Sequence, residues 1–175
     1  MSTLFLLRHA QADYDSRSGL DIDRKLSPAG LRQAQAVARY LSLHSTPPNY
    51  LLSSPAQRTR QTSLAIGKAL NLKVEQMSWI REIYEASAGQ LLACLERHKS
   101  YFPLILVGHN PGLEILVRSI MQADKNSEIG HGASMGTATL VQFDWPNSQD
   151  ILSYRVPIQC TVHAEQLLNE GTSSS

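Results

Sequence analysis

The sequence predicts an α/β fold in which helices cover a largely parallel sheet. Two observations lead to this prediction. Short apolar runs, typical of buried strands, recur along the chain. Between them lie longer segments in which apolar residues return at the period of a helix. This alternation favours parallel pairing, because each helix carries the chain back across the sheet to start the next strand.

Five apolar runs are predicted as strands. The first three are almost purely apolar, as expected for strands buried on both faces, and the last two have more mixed faces. A turn signal, Trp-Pro-Asn-Ser at residues 145–148, separates the last two runs, so an antiparallel pair is expected there. The predicted strands are residues 4–7, 50–52, 104–107, 138–143 and 151–158.

Four helices are predicted between these strands. Each begins at a small polar residue that can cap the first turn, at a proline that fits the first turn, or at both. The inward face of the first helix is expected to include Leu31 and Leu41. The four start signals are Ser27-Pro28, Ser54-Pro55, Ser87 and Asn110-Pro111.

The length of 175 residues predicts one domain, placed at residues 1–165, with a frayed polar tail at 166–175. Sixteen Lys and Arg against fifteen Asp and Glu leave a net charge of +1, which argues against nucleic-acid or anionic-membrane partners. No apolar run approaches the ~20 residues that span a bilayer, and the N-terminus lacks signal-peptide features. We therefore expect a cytoplasmic protein that is a monomer or weak dimer.

Charged and ring side chains follow three of the predicted strands. Arg8 and His9 follow the first, Arg58 lies in the first turn of the helix after the second, and His109 follows the third. Ligands of open α/β sheets bind beyond the carboxyl ends of the strands. Parallel strands would therefore bring these four residues to one edge of the sheet.

The position of Arg58 points to an anion. The N-terminal turn of a helix carries partial positive charge, so a cation there costs about 0.3–1 kcal/mol. If the side chain extends into water, the solvent screens this unfavourable interaction. This is the interpretation favoured for Arg60. For Arg58 the alternative is an anion held between the guanidinium and the free backbone N–H groups of the helix. Two Arg and two His around one anion suggest phosphate chemistry.

These residues suggest a mechanism that needs no metal. A neutral nitrogen of His9 could attack a phosphoryl group to give a phosphohistidine, which water then hydrolyses. Arg8 and Arg58 would help to keep His9 neutral and would stabilise charge on the transferring group, and His109 could donate a further hydrogen bond. No Cys or His pair has metal-ligand spacing, so neither metal nor cofactor is expected. On spacing alone, a structural histidine remains an equal alternative.

Three motifs, in order, resemble the histidine phosphatase superfamily, which includes the cofactor-dependent phosphoglycerate mutases. The resemblance spans about residues 4–140 and implies a three-layer α/β/α sandwich with a mostly parallel, mixed central sheet. It also implies that His9 is the phosphorylated nucleophile and that Arg8, Arg58 and His109 complete the phosphate pocket. The motifs are Leu7-Arg8-His9-Ala10, SSPAQRTRQT at residues 53–62 and Val107-Gly108-His109-Asn110, with further similarity at residues 24–34.

Two features concern how closely the chain follows the family pattern. Ala10 replaces the usual glycine, so the backbone there must tolerate a Cβ. For the proton donor to the leaving oxygen, the family pattern gives Glu82 as the best positional match and Glu85 as the second choice. Either carboxylate could instead be a solvated loop residue.

The short chain, the Arg-His-Ala motif and the Ile-Tyr-Glu-Ala stretch at residues 83–86 are similar to the bacterial phosphohistidine phosphatase type. The resemblance implies a phosphatase whose substrate is a phosphohistidine-bearing protein and whose product is inorganic phosphate. A small-molecule phosphomonoesterase and a low-turnover phospholigand-binding module remain alternatives. Only residues 22–27 and 121–135 are candidates for a lid, and an open pocket suits a protein side chain.

Overall fold

The computed structural model describes residues 2–121, 135–145 and 158–172. Its strands are β1 (Ser2–Arg8), β2 (Tyr50–Ser53), β3 (Met77–Trp79), β4 (Leu104–Gly108), β5 (Thr139–Trp145) and β6 (Ile158–His163). Its α-helices are α1 (Pro28–Ser42), α2 (Gln57–Ala69), α3 (Ala88–Arg97), α4 (Gly112–Ile120) and α5 (Ala164–Thr172).

The six strands form one sheet in the order β3-β2-β4-β1-β5-β6. The first four strands along the chain are parallel, so β1 lies beside β4 with Leu7 opposite Val107. Strand β5 runs antiparallel to β1, and β6 runs antiparallel to β5. This mostly parallel, mixed sheet confirms the predicted fold class. The last two strands pair as expected, but β6 begins at Ile158, and residues 151–157 lie outside the described part of the chain.

Alternation along the buried strands produces two hydrophobic cores, one on each face of the sheet. Leu4 and Leu6 of β1 face the core that contains α3 and α4. Phe5 and Leu7 face the opposite core, which contains α1, α2 and α5. All four side chains are fully buried. The molecule therefore has the three layers of an α/β/α sandwich.

Helix starts follow local capping. The Ser27 hydroxyl accepts a hydrogen bond from the Gly30 amide, and Ser87 forms a capping box with Gln90, as predicted. Helix α2 differs, since it begins at Gln57 and not at Ser54-Pro55. The Ser54 hydroxyl lies at the end of β2, where it accepts a hydrogen bond from the Ala56 amide at 3.2 Å.

Three elements depart from the sequence-based expectations. Strand β3 has only three half-buried residues and therefore gives no apolar run that could reveal it. Leu31 is 44% exposed, while Gln33 turns inward because its side-chain oxygen accepts the Gln11 amide at 2.9 Å. Residues 166–172 are helical and not a frayed tail, since Leu167 of α5 packs against the core beside α1.

In the part of the chain that the structure describes, no helix is long and apolar enough to cross a membrane.

The parallel strands bring the motif residues to one edge of the sheet. The amide of His9 donates to the carbonyl of Gly108 at 3.1 Å, and the amide of Ser54 donates to the carbonyl of Val107 at 3.2 Å. These backbone bonds continue the β1–β4 and β2–β4 pairing past the strand ends. They fix the three motif loops against one another.

Candidate active site

A cavity of about 390 Å³ opens at this edge of the sheet. Arg8, His9, Arg58 and His109 all line it, so the structure brings together the four residues that the strand ends singled out. The other lining residues are Gln11, Ala12, Asp21, Arg24, Glu85, Asn110 and Thr137.

His9 is held in one tautomer. Its Nδ1 donates a hydrogen bond to the carbonyl of Ala10 at 2.8 Å, so Nε2 carries the free lone pair when the ring is neutral. The residue is buried, with 8% of its surface exposed. Burial, followed by the charges of Arg58 and Arg8, lowers the pKa of His9 to about 4, although the bond to Ala10 opposes this shift. His9 is therefore neutral, with an available nitrogen, near pH 7.

His109 lies beside His9, with ring centroids 5.1 Å apart. Its Nδ1 accepts a hydrogen bond from Nη2 of Arg58 at 3.3 Å, because a guanidinium can only donate. Its Nε2 therefore carries the proton and donates to the Ser54 hydroxyl at 2.8 Å. Burial lowers the pKa of His109 to about 3, and repulsion from the charged form of His9 and from Arg58 acts in the same direction. The histidine is neutral in this arrangement.

Arg58 has an anion beside it, and that anion comes from the same chain. The guanidinium, in the first turn of α2, is buried and donates from Nη2 to the Asp21 carboxylate at 2.8 Å. Its Nη1 donates to the backbone carbonyl of Asp21 at 2.7 Å. The sequence indicated that a cation at this helix start needs a negative partner, and Asp21 supplies part of it.

Arg8 is held by a second network. Its Nη1 donates to the carbonyl of Met135 at 2.7 Å, which also accepts the Asn110 side-chain amide at 2.9 Å. The Glu114 carboxylate of α4 accepts both that side-chain amide and the backbone amide of Met135. Arg8 Nε and Asn110 Oδ1 are buried without a protein partner. Other atoms of both residues line the cavity.

Ala10 is accommodated without backbone strain. The described non-glycine residues with a left-handed backbone are Asn71, Glu85 and Ala138, and Ala10 is not among them. The Ala10 amide donates to the Thr62 hydroxyl at 3.1 Å, which ties the segment after β1 to α2. The replacement of the usual glycine therefore leaves the loop in place.

The two candidate proton donors lie in different places. Glu82 is 64% exposed on its side chain and pairs with Arg97 of α3 at the surface, and it does not line the cavity. Glu85 does line the cavity and adopts a left-handed backbone with φ of 54°. Such a conformation is strained for a residue with a Cβ and is often found at functional sites. Of the two candidates, Glu85 is therefore the one that the structure places at the cavity.

Asp21, Tyr84 and Glu114 were not singled out from the sequence. Asp21 lies in a polar loop without periodicity, and only the unfavourable position of Arg58 pointed to a missing anion. Tyr84 donates from its hydroxyl to Asp21 at 3.0 Å and packs edge-on against His109 with ring centroids 5.5 Å apart. Glu114 is one of several polar residues on an amphipathic helix, so no pattern distinguishes it.

Two other expectations concern metals and a lid. Among the described residues, no group of three or more His, Cys, Asp or Glu side chains could hold a metal ion. Residues 22–27 belong to the loop between β1 and α1, which reaches the cavity through Asp21 and Arg24. Within the other lid candidate, residues 122–134 lie outside the described part of the chain.

Comparison with known proteins identifies the family. Residues 4–91 match the histidine phosphatase superfamily, branch 1. An uncharacterized chloroplast protein of Arabidopsis thaliana is 34% identical in an alignment of 120 residues that covers 63% of this chain and 55% of that protein. The chain thus spans little more than half the length of this relative. A protein of Hydrogenobacter thermophilus, provisionally assigned as phosphoserine phosphatase 2, is 27% identical over 77% of this chain and 75% of its own.

A solved structure shares the fold over nearly its whole length. It is a protein of Agrobacterium tumefaciens provisionally assigned as the phosphohistidine phosphatase SixA. It superposes with a TM-score of 0.76 at 27% identity, over 92% of this chain and 97% of that one. The chain therefore belongs to the histidine phosphatase superfamily.

Proposed function

We propose that this protein is a phosphatase that works through a phosphorylated His9 and removes phosphate from phosphohistidine on a protein. The observation that carries the proposal is the state of His9. Its Nδ1 proton is bonded to the Ala10 carbonyl, so the lone pair of Nε2 is available in a cavity that Arg8 and Arg58 also line. A neutral imidazole nitrogen beside two guanidinium groups is suited to attack a phosphoryl group.

In the first step, Nε2 of His9 attacks phosphorus and the bond to the leaving group breaks. Arg8 and Arg58 neutralise the charge on the non-bridging oxygens, and this supplies electrostatic stabilisation without a metal. In the second step, water attacks the phosphohistidine, the P–N bond breaks, and inorganic phosphate leaves with the hydroxyl oxygen from water. His9 returns to the neutral form that is bonded to Ala10.

The two candidate substrate classes differ in their leaving group. In phosphohistidine the ring nitrogen that is not phosphorylated can carry a proton, so the ring departs as neutral imidazole without an acid at the breaking bond. A serine or sugar phosphate instead leaves as an alkoxide that must be protonated. Of the two glutamates that could supply that proton, Glu82 is paired with Arg97 at the surface and Glu85 lines the cavity. The likeness to the protein assigned as SixA supports phosphohistidine as the substrate.

A small-molecule phosphomonoesterase is the second candidate. The observation that favours it is the same Glu85, because a carboxyl group at the cavity could protonate an alkoxide leaving group. The relative provisionally assigned as a phosphoserine phosphatase is consistent with this activity. The two candidates differ in the substrate and share the His9 chemistry.

Turnover of two substrates distinguishes these functions. The wild-type protein, in excess chelator, would be given a phosphocarrier protein phosphorylated on histidine and, separately, phosphoserine. The proposal predicts a higher kcat/KM for the phosphohistidine protein, and loss of both activities in His9→Ala. His98→Ala, which changes a histidine at the end of α3 away from the cavity, is the matched control. Faster phosphoserine hydrolysis would support the second candidate, and oxyanion binding without turnover would indicate a binding module.

A further inference from the structure

Asp21 accepts two hydrogen bonds from Arg58, one of the arginines that line the cavity. The Arg58 guanidinium uses three N–H donors in the contacts described above: one to the Asp21 carbonyl, one to the Asp21 carboxylate and one to His109. A guanidinium has five such donors, so the others remain for a ligand. Two acceptors on one residue fix the plane of the group, because they engage different terminal nitrogens.

Asp21 is itself held from two sides. Its Oδ1 accepts from Arg24 Nη1 at 2.9 Å, and its Oδ2 accepts from the Tyr84 hydroxyl at 3.0 Å. Burial and the nearby Asp21 charge raise the pKa of Tyr84, which keeps its hydroxyl protonated as a donor. Burial acts to raise the pKa of Asp21, but hydrogen bonds from Arg24, Arg58 and Tyr84 outweigh it and lower that pKa to about 2. Asp21 is therefore a fixed negative charge at neutral pH.

The loop between β1 and α1 explains how Asp21 reaches Arg58. Its two ends are joined by the Asp13 amide to the Lys25 carbonyl at 2.8 Å and by the Ser27 amide to the Gln11 carbonyl at 3.0 Å. Arg24 fastens the loop internally by donating from Nε to the Asp13 carbonyl at 2.8 Å. Because its two ends are joined, the loop holds Asp21 against the guanidinium of Arg58.

Arg58 needs such a partner. The guanidinium is buried at the positively charged end of α2, close to Arg8 and Arg24 in the same cavity. Without an anion, a buried cation in this position would be favoured to turn toward solvent. Asp21 offsets the charge while it engages one side of the guanidinium.

We infer that Asp21 is the positioning residue of Arg58: it holds the guanidinium, together with the hydroxyl of Tyr84, in the orientation that receives the phosphoryl group. The inference rests on the proposed phosphate pocket. It concerns how the pocket is preorganised, since Asp21 acts on the ligand through Arg58 and not by direct contact.

Binding of tungstate, a phosphate-like oxyanion, tests this role by titration calorimetry at pH 7.5. Loss of a positioned, charge-assisted hydrogen bond predicts at least about tenfold weaker binding in Asp21→Asn. Asp23→Asn is the matched control, because Asp23 lies in the same short helix but accepts from Ser18 and does not contact Arg58. Asp21→Glu should recover part of the loss, and Tyr84→Phe should weaken binding by a smaller factor.

A double-mutant cycle separates positioning from general damage to the fold. If Asp21 acts through Arg58, Asp21→Asn should change tungstate binding by less than about twofold in an Arg58→Ala background. Wild-type or tighter binding in Asp21→Asn would overturn the inference, as would an equal loss with and without Arg58. If Asp21→Asn does not fold, the test is made with Tyr84→Phe. Unchanged tungstate binding in that variant would count against the positioning role of Asp21. Failure of the wild-type protein to bind tungstate would instead contradict the proposed function.

Discussion

Nδ1 of His109 accepts a hydrogen bond from Nη2 of Arg58 across 3.3 Å. This contact determines the protonation state of His109, because it requires an unprotonated Nδ1. The ring proton is then on Nε2, which donates it to the Ser54 hydroxyl. Two of the groups expected to bind phosphate thus bond to each other. An oxyanion that enters the cavity has to replace this contact with contacts of its own.

Binding of an oxyanion should therefore be accompanied by proton uptake at His109. A lone pair on Nδ1 repels an anionic oxygen, whereas a protonated Nδ1 donates to it, so a bound dianion should raise the pKa of His109 from about 3. Tungstate stays a dianion near pH 7.5, which makes it the suitable probe. Calorimetric titration in buffers of different ionisation enthalpy should show uptake of up to about one proton.

The control for this uptake is His109→Asn, which should bind tungstate more weakly and without a buffer-dependent enthalpy. A binding enthalpy that is the same in every buffer for the wild-type protein would contradict the prediction.

Stability should fall as pH decreases from 7 to 5. The pKa of His9 is lowered to about 4 and that of His109 to about 3, against about 6.5 in the unfolded chain, so the unfolded state binds more protons in this interval. Each histidine should then remove about 2 kcal/mol from the free energy of unfolding between pH 7 and pH 5. Asp21, whose pKa is lowered to about 2, contributes stability that is lost only below about pH 4.

Urea unfolding at both pH values measures this dependence. His9→Asn should show a smaller decrease than the wild-type protein by about 2 kcal/mol. Equal decreases in the two proteins would mean that His9 is not held neutral by the fold.

Glu85, and not Glu82, should affect hydrolysis of phosphomonoesters. Glu85→Gln removes a carboxyl group that lines the cavity, so kcat/KM for phosphoserine should fall by about a hundredfold, with a smaller loss on phosphohistidine protein. Glu82→Gln only breaks a surface ion pair with Arg97 and serves as the matched control. A larger loss in Glu82→Gln would restore the order that the sequence suggested.

Gly112 allows α4 to approach the loop that carries Glu85. A Cβ at this position would overlap the carbonyl oxygen of Ala86, so Gly112→Ala must push the helix start and the loop apart. We expect a loss of about 1–3 kcal/mol in the free energy of unfolding, together with lower activity. Denaturant unfolding measures the change in stability, and steady-state kinetics on the same preparation measure the change in activity.

Gly89→Ala is the comparison for Gly112→Ala. Gly89 lies in α3 with no atom within 4 Å of an added Cβ, so the change should stabilise by up to about 1 kcal/mol and leave activity unchanged. Similar behaviour of the two alanine variants would show that the close approach at Gly112 is unimportant.

The sequence reveals the framework of the site because the relevant signals are local. Strands β1, β2 and β4 are apolar runs, Ser27 and Ser87 are caps, and each predicts its element from a few neighbouring residues. The convergence of Arg8, His9, Arg58 and His109 then follows from parallel pairing.

The parts that the sequence does not reveal depend on loop conformation and long-range contacts. Asp21 is 37 residues from Arg58 along the chain, and only the closed loop between β1 and α1 brings them together. Glu85 reaches the cavity through a left-handed backbone conformation, and no residue pattern predicts that conformation at a glutamate. Helix α5 is ordered by packing of its Leu167 and not by its polar composition, which suggested a frayed tail.

The central claim is that Nε2 of His9 becomes phosphorylated during turnover. The most direct test mixes the protein with a phosphocarrier protein that carries radiolabelled phosphohistidine, stops the reaction within milliseconds in alkaline detergent, and maps the label. The account predicts acid-labile label on His9, formed and lost at rates that match turnover, and none in His9→Ala. Turnover without label on His9, or turnover that survives in His9→Ala, would contradict it.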